Sequence, residues 1–187
     1  MDGTLTEPYL DFEAIRREMG VAPGCWLLEA IAAMAPAERA AAEAILHRHE
    51  ESAATNSTLN PGCDELIAWV REQKLPTALI TRNSRASAAC VLQRHGLEFD
   101  VLITRDDGKF KPDPDPLLLA CDRLGMSPAD AWMIGDGSHD IIAGRAAGVP
   151  TVWISHGRTR EFDAEPWRTV RDLHELLRLL RSASPRV

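Results

Sequence analysis

The chain predicts an α/β fold: a parallel sheet covered by helices and interrupted by a small all-helical insert. Three observations lead there. After Pro61, short apolar runs alternate with helical stretches of about ten residues, the pattern of βαβ units. Between residues 11 and 54 no strand candidate occurs, and alanine and other strong helix formers dominate. A length of 187 residues, 45% of them hydrophobic and 26% charged, suits one globular domain with an insert and excludes a disordered or fibrous chain.

The elements follow in order. In the insert, DFEAIRREMG ends at Gly20, a helix stop. A second helix is expected from Cys25 to Met34. A third opens with Pro36 in its first turn and continues as AERAAAEAILHRHEES. Beyond the insert, CDELIAWVREQK reads as an amphipathic helix and PTALIT as a strand. SRASAACVLQRHG is a helix closed by Gly96, and DVLIT a strand. PDPLLLACDRLG is a helix with prolines at its start, followed by the strand AWMIGD. HDIIAGRAAG is a helix ending at Gly148, PTVWI a strand, and VRDLHELLRLLR an amphipathic helix.

Composition excludes several partners. A net charge of −7 without a basic stripe argues against nucleic acid. Charges or prolines interrupt every apolar run before membrane-span length. The opening MDGTLTEPYLDF has no basic region followed by an apolar core, so no signal peptide is expected. Cys25, Cys63, Cys90 and Cys121 are scattered, without the close pairs of a zinc site. They read as small buried hydrophobes in a reducing cytoplasm. The expected assembly is a monomer or weak homodimer.

In parallel α/β sheets ligands bind beyond the carboxyl ends of the strands. One strand ends at Thr81, followed by Arg82 and Asn83. Another ends at Thr104, with Lys109 and Lys111 in the loop beyond. A third ends at Asp136, with Asp140 four residues later, and the last leads to Ser155, His156 and Gly157. A hydroxyl, a lysine and two carboxylates on one rim suit a hard divalent cation such as Mg²⁺ together with a phosphate. Phosphoryl transfer relies mostly on such positioning and charge neutralisation. The opening Asp2-Gly3-Thr4-Leu5-Thr6 adds a carboxylate followed by a turn glycine.

Four motifs in this order resemble the haloacid dehalogenase superfamily, in its phosphoglycolate-phosphatase-like branch with a helical cap. They are DGTLT at 2–6, LITRNS at 79–84, KPDPDP at 111–116 and GDGSHDIIAGRAAG at 135–148. The resemblance implies a Rossmann-like core from residues 1–8 and 58–187, with a cap over 9–57. It implies a Mg²⁺-dependent phosphatase that hydrolyses a small phosphomonoester through an aspartyl-phosphate.

In the family's Asp-x-Asp-Gly-Thr motif the first aspartate is the nucleophile and the second the general acid/base. Asp2 matches the second and Met1 the residue between, so the nucleophile is expected one position before Met1, at the end of an apolar central strand. The sequence as read contains neither. A start codon placed late or a trimmed chain is the expected reason. Gly3, Thr81, Asn83 and Lys111 are implied to hold the phosphate, with Thr81 bonding the transferring group and Lys111 neutralising charge. Asp136 is the implied metal ligand, supported by Asp140 directly or through water, and Asp2 lends its backbone carbonyl.

Blander readings stand beside these. Lys109 is a rival for Lys111, Ser138 reads as a helix cap, and His156 is a candidate substrate contact. His47 and His49 lie two apart and share no helix face. His139 falls at a variable position of the fourth motif. Arg16, Arg17, Trp26 and Arg48 read as a solvated face and a core anchor. Among functions, a receiver domain lacks both the insert and the GDGSHD signature. Within the superfamily, a dehalogenase is disfavoured by Asp2 together with Asp136. A phosphosugar mutase and a catalytically inactive protein binding a phosphate ligand or partner remain the alternatives.

Overall fold

The computed structural model describes residues 1–183; positions 184–187, the end of the expected core, lie outside the described residues. The insert begins with helix α1 (Phe12–Met19). Asp11 starts it by accepting a bond from the Ala14 amide at 2.9 Å, and Gly20 ends it at φ 70°. Helices α2 (Leu27–Ala33) and α3 (Pro36–Asn56) follow. Ile15, Leu27, Ile31, Ala42 and Leu46 from the three helices form a small core of their own. The far half of α3 does more, because Ala54 joins the main core and Glu50 is buried against the sheet rim.

The rest alternates as expected: α4 (Cys63–Glu72), β1 (Ala78–Ile80), α5 (Arg85–His95), β2 (Val101–Ile103), α6 (Asp115–Leu124), β3 (Met133–Gly135), α7 (Ser138–Ala147), β4 (Thr151–Ile154), β5 (Arg168–Val170) and α8 (Leu173–Ser182). All strand pairs are parallel. They form two sheets, β1-β2 and β3-β4-β5, with Leu79 opposite Leu102 and Ile134 opposite Val152. No ladder joins β1 to β3, yet the two sheets share a core. Alternation along the strands sends side chains to two faces. Leu79, Val152 and Ile154 pack with α4, α5 and α8, together with Met1 and Leu5. Ile80 and Met133 pack on the other face with Leu117 and Cys121 of α6 and Ala143 and Ala147 of α7. All four residues of β4 are buried, as a central parallel strand requires.

Several local expectations need correction. β5 was expected as no strand at all, with Val170 opening the last helix. Two of its three residues are exposed, so it lacks an apolar signal, and Asp172 starts α8 by accepting from the Glu175 amide at 2.9 Å. All four cysteines are free, but only Cys63 and Cys121 are buried, whereas Cys25 is exposed and Cys90 half-buried. Burial pushes the Cys63 thiol up to about 11. Ser138 is the first residue inside α7, not its cap, because Gly137 holds the cap position. Among the described residues no helix is long and apolar enough to cross a membrane.

Candidate active site

The turn that carries Asp2 is built around one carbonyl. Met1 O accepts bonds from the amides of Thr4, Leu5 and Thr6 at 3.1, 2.8 and 3.2 Å. Asn60 ties the turn down by donating to Thr4 O and Thr6 O at 2.8 and 2.9 Å. His156 Nε2 donates to Gly3 O at 2.6 Å. Gly3 adopts φ 73°, and a Cβ there would overlap the Asp136 carboxylate. Glycine is therefore required twice, for backbone conformation and for close approach.

Around this turn the strand ends converge. Asn83 Nδ2 donates to Asp2 Oδ2 at 2.7 Å, and Thr6 Oγ1 to Asp2 Oδ1 at 3.4 Å. Thr81, buried just beyond β1, accepts from the Asn83 amide at 3.1 Å. Thr4 Oγ1 donates to Asp136 Oδ1 at 3.1 Å, and Arg158 approaches Asp136 Oδ2 at 3.6 Å. Trp153 Nε1 holds the Asp136 carbonyl at 3.1 Å. Lys111 Nζ reaches Asp140 Oδ1 at 2.7 Å and Ile80 O at 2.8 Å, while the Gly137 amide donates to Asp140 Oδ2 at 3.1 Å.

The two fourth-motif carboxylates are electrostatically unlike. Burial, then the neighbouring Asp140 charge, raises the Asp136 pKa. Burial alone would raise Asp140 too, but Lys111 overrides it and holds that carboxyl below its ordinary range. The buried Met1 nitrogen lies near the charges of Lys111, Asp2, Asp140 and Asp136.

A hard divalent cation suits this set. Asp136 is a half-buried carboxylate whose cationic partner among the described residues, Arg158, stands at 3.6 Å, beyond hydrogen-bond range. Mg²⁺ needs only one or two carboxylates and completes its shell with backbone, water and substrate oxygens.

Of the expected residues, Asp2, Gly3, Thr81, Asn83, Lys111, Asp136 and Asp140 are linked by these contacts. Lys109 is not: it is exposed and pairs with Asp113 and Asp115 at 3.2 and 2.9 Å. His156 is spent on the Gly3 carbonyl. Sequence reasoning missed how the insert meets the rim. Arg82 pairs with Glu29 of α2 through two bonds of 3.0 and 2.7 Å and also donates to Lys111 O. Arg105 pairs with the buried Glu50 of α3. Trp26 lies over His139, ring centroids 4.5 Å apart. The position of Arg82 directly after Thr81 was the available signal.

Residues 6–148 match the family described as haloacid dehalogenase-like hydrolase. The chain is 33% identical over 180 residues to the N-acetylmuramic acid 6-phosphate phosphatase of Pseudomonas aeruginosa, covering 84% of this chain and 80% of that one. It is 37% identical over 122 residues to a plasmid-encoded phosphoglycolate phosphatase of Cupriavidus necator, covering 62% and 52%. A crystal structure of a hydrolase from Pseudomonas syringae has the same fold, with TM-score 0.82 at 22% identity and coverage of 97% and 95%. The chain thus spans from about half to four-fifths of the length of these curated relatives. On these matches, the chain belongs to the haloacid dehalogenase-like hydrolase family.

Proposed function

We propose that the protein hydrolyses a small phosphomonoester with the help of Mg²⁺, through an aspartyl-phosphate. The observation that carries this reading is the set of contacts at the strand ends: Asn83 on Asp2, Lys111 on Asp140, and the Asp2 turn on Asp136 through Thr4. The two phosphatase-named relatives support the reaction class. Residues 9–57 act as a cap on a core formed by the remainder.

By the motif's register, the nucleophilic aspartate occupies the position directly before Met1. That position adjoins the Met1 nitrogen, which stands among Lys111 and the three carboxylates. Asp2 gives a proton to the leaving oxygen and later takes one from water, held for both by Asn83 and Thr6. Thr81, Asn83, Lys111 and the Gly3 backbone hold the phosphoryl oxygens. Asp136 and the Asp2 carbonyl would hold Mg²⁺, with Asp140 behind them. Bound there, the ion would neutralise charge on the phosphoryl group and orient it.

The test is phosphate release from 4-nitrophenyl phosphate by the chain extended with an apolar segment ending in aspartate before Met1. Mg²⁺-dependent release, abolished when only that aspartate becomes asparagine, is the expected result. A folded extended chain that releases none overturns the reading.

A further inference from the structure

Among the described residues, His139 Nε2 is the buried side-chain polar atom that has no hydrogen-bond partner. Buried nitrogens are almost always satisfied, and an unsatisfied one raises the free energy of the folded state. Its surroundings say what the missing partner is. His139 stands in the first turn of α7, beside Asp140, whose carboxylate holds Lys111 at 2.7 Å. The segment before α2 supplies Trp26, whose ring plane diverges from the imidazole by 49°, a wedge and not a flat stack. The charges acting on the ring are Arg82, Glu29, Asp140 and Lys111, two from the phosphate rim, one from the loop after β1 and one from the cap. Arg82 and Glu29 are paired with each other and leave Nε2 without a bond. A ring placed there for packing alone needs no nitrogen, and phenylalanine would serve.

We propose that His139 Nε2 recognises a hydroxyl on the leaving group, so that the preferred substrates are phosphate esters of polyols or sugars over those of bare alkyl alcohols. This rests on the phosphomonoester reading above. A hydroxyl both donates and accepts, so it satisfies Nε2 in either tautomer. Trp26, 38% exposed, offers an apolar wall against which the carbon skeleton of such a group packs. His139 is thereby a specificity-determining residue, placed next to the phosphate grip but not part of it.

Phosphonates resist hydrolysis, so recognition can be read without turnover. Isothermal titration in Mg²⁺ would compare 3,4-dihydroxybutylphosphonate with butylphosphonate and inorganic phosphate. The expected result is a preference of roughly tenfold for the dihydroxylated ligand. In His139→Phe that preference falls to near unity while butylphosphonate affinity stays. The same variant should melt about 2–4 °C higher, because an orphaned buried nitrogen has been removed. His139→Leu is the second variant should the larger ring not fit. A preference that survives both substitutions overturns the proposal, as does a lower Tm in both, which would show that the imidazole already has its partner. Equal binding of the two phosphonates by the unaltered chain overturns this inference alone. Failure to bind either phosphonate or phosphate overturns the phosphatase reading, and this one with it.

Discussion

Lys111 Nζ stands 2.7 Å from Asp140 Oδ1 and 2.8 Å from Ile80 O, and both residues are buried. An ammonium has three donors, so one remains for a phosphate oxygen. Removing the lysine strands a buried carboxylate. Lys111→Met is expected to cost about 3–5 kcal/mol in urea unfolding, and Asp140→Asn added to it should recover much of that. Lys109 is exposed in its own ion pairs, so Lys109→Ala should leave the unfolding curve nearly unmoved and phosphate binding intact. Equal losses in the two lysine variants would show that the third motif had been misread.

Gly3 and Gly20 both have positive φ, 73° and 70°, but only Gly3 has a neighbour in the way. Alanine at Gly20 meets open space and pays backbone strain alone, about 1–2 kcal/mol. Alanine at Gly3 adds overlap with Asp136. Gly3→Ala should therefore be the more destabilised of the two by at least about 1 kcal/mol, and it alone should lose Mg²⁺ affinity, as urea unfolding and metal titration would show. Matching unfolding curves would mean that the Asp2 turn yields freely.

Much of this was legible because it is local. Apolar periodicity marked the helices and four of the strands, and Gly20, Gly96 and Gly148 closed helices where expected. The candidate residues at the strand ends could be picked out because strand ends in parallel sheets share a rim, and their roles were implied by the motif resemblance. β5 was hidden because two of its three residues face solvent. The Glu29–Arg82 and Glu50–Arg105 pairs join residues 53 and 55 apart, and no periodicity reports how α2 and α3 lie across the rim. Nor could the sequence tell that a variable position, His139, would be buried without a partner.

Those two pairs should respond differently to loss of charge. Glu50 is 2% exposed, and its carboxylate serves Arg105 while accepting a long bond from the Ser84 amide. Glu50→Gln is expected to destabilise by about 3–5 kcal/mol, because it leaves a largely buried guanidinium uncompensated. Glu29 is more exposed, and Arg82 retains Lys111 O and the Phe110 ring. Glu29→Gln should cost no more than about 1 kcal/mol. Chemical denaturation of both variants decides it, and similar costs would show that α3 is no more firmly tied to the rim than α2.

Asp107 gives the acid limb a local contributor. Burial alone would raise its pKa, but bonds from the Thr104 amide and hydroxyl, both 2.8 Å, and from Arg85 hold it below the ordinary value. A lowered carboxyl stabilises the fold above its unfolded pKa of about 4, and that contribution is lost as pH falls through the folded value. Asp107→Asn should therefore be less stable than the unaltered chain at pH 7, with the gap narrowing below pH ~4. A gap independent of pH would assign the effect to hydrogen bonding alone.

Asp136 should behave in the opposite sense. Its pKa is raised by burial and by Asp140, so its charged form costs the folded state free energy at neutral pH, and the fold gains as pH falls through the raised value. Thr4 can bond an asparagine oxygen as well as a carboxylate, so the hydrogen bond at 3.1 Å survives substitution. Without metal, Asp136→Asn should match or exceed the unaltered chain in Tm. With millimolar Mg²⁺ the order should reverse, because an ion bound to the folded state alone stabilises it by mass action, and the variant has lost the carboxylate that would hold it. Titration calorimetry should show Mg²⁺ affinity at least about tenfold weaker for Asp136→Asn, a loss of 1.4 kcal/mol or more. The exposed Asp122→Asn should leave affinity unchanged. Equal affinity in the Asp136 variant would move the metal away from β3 and take the proposed role of Asp140 with it.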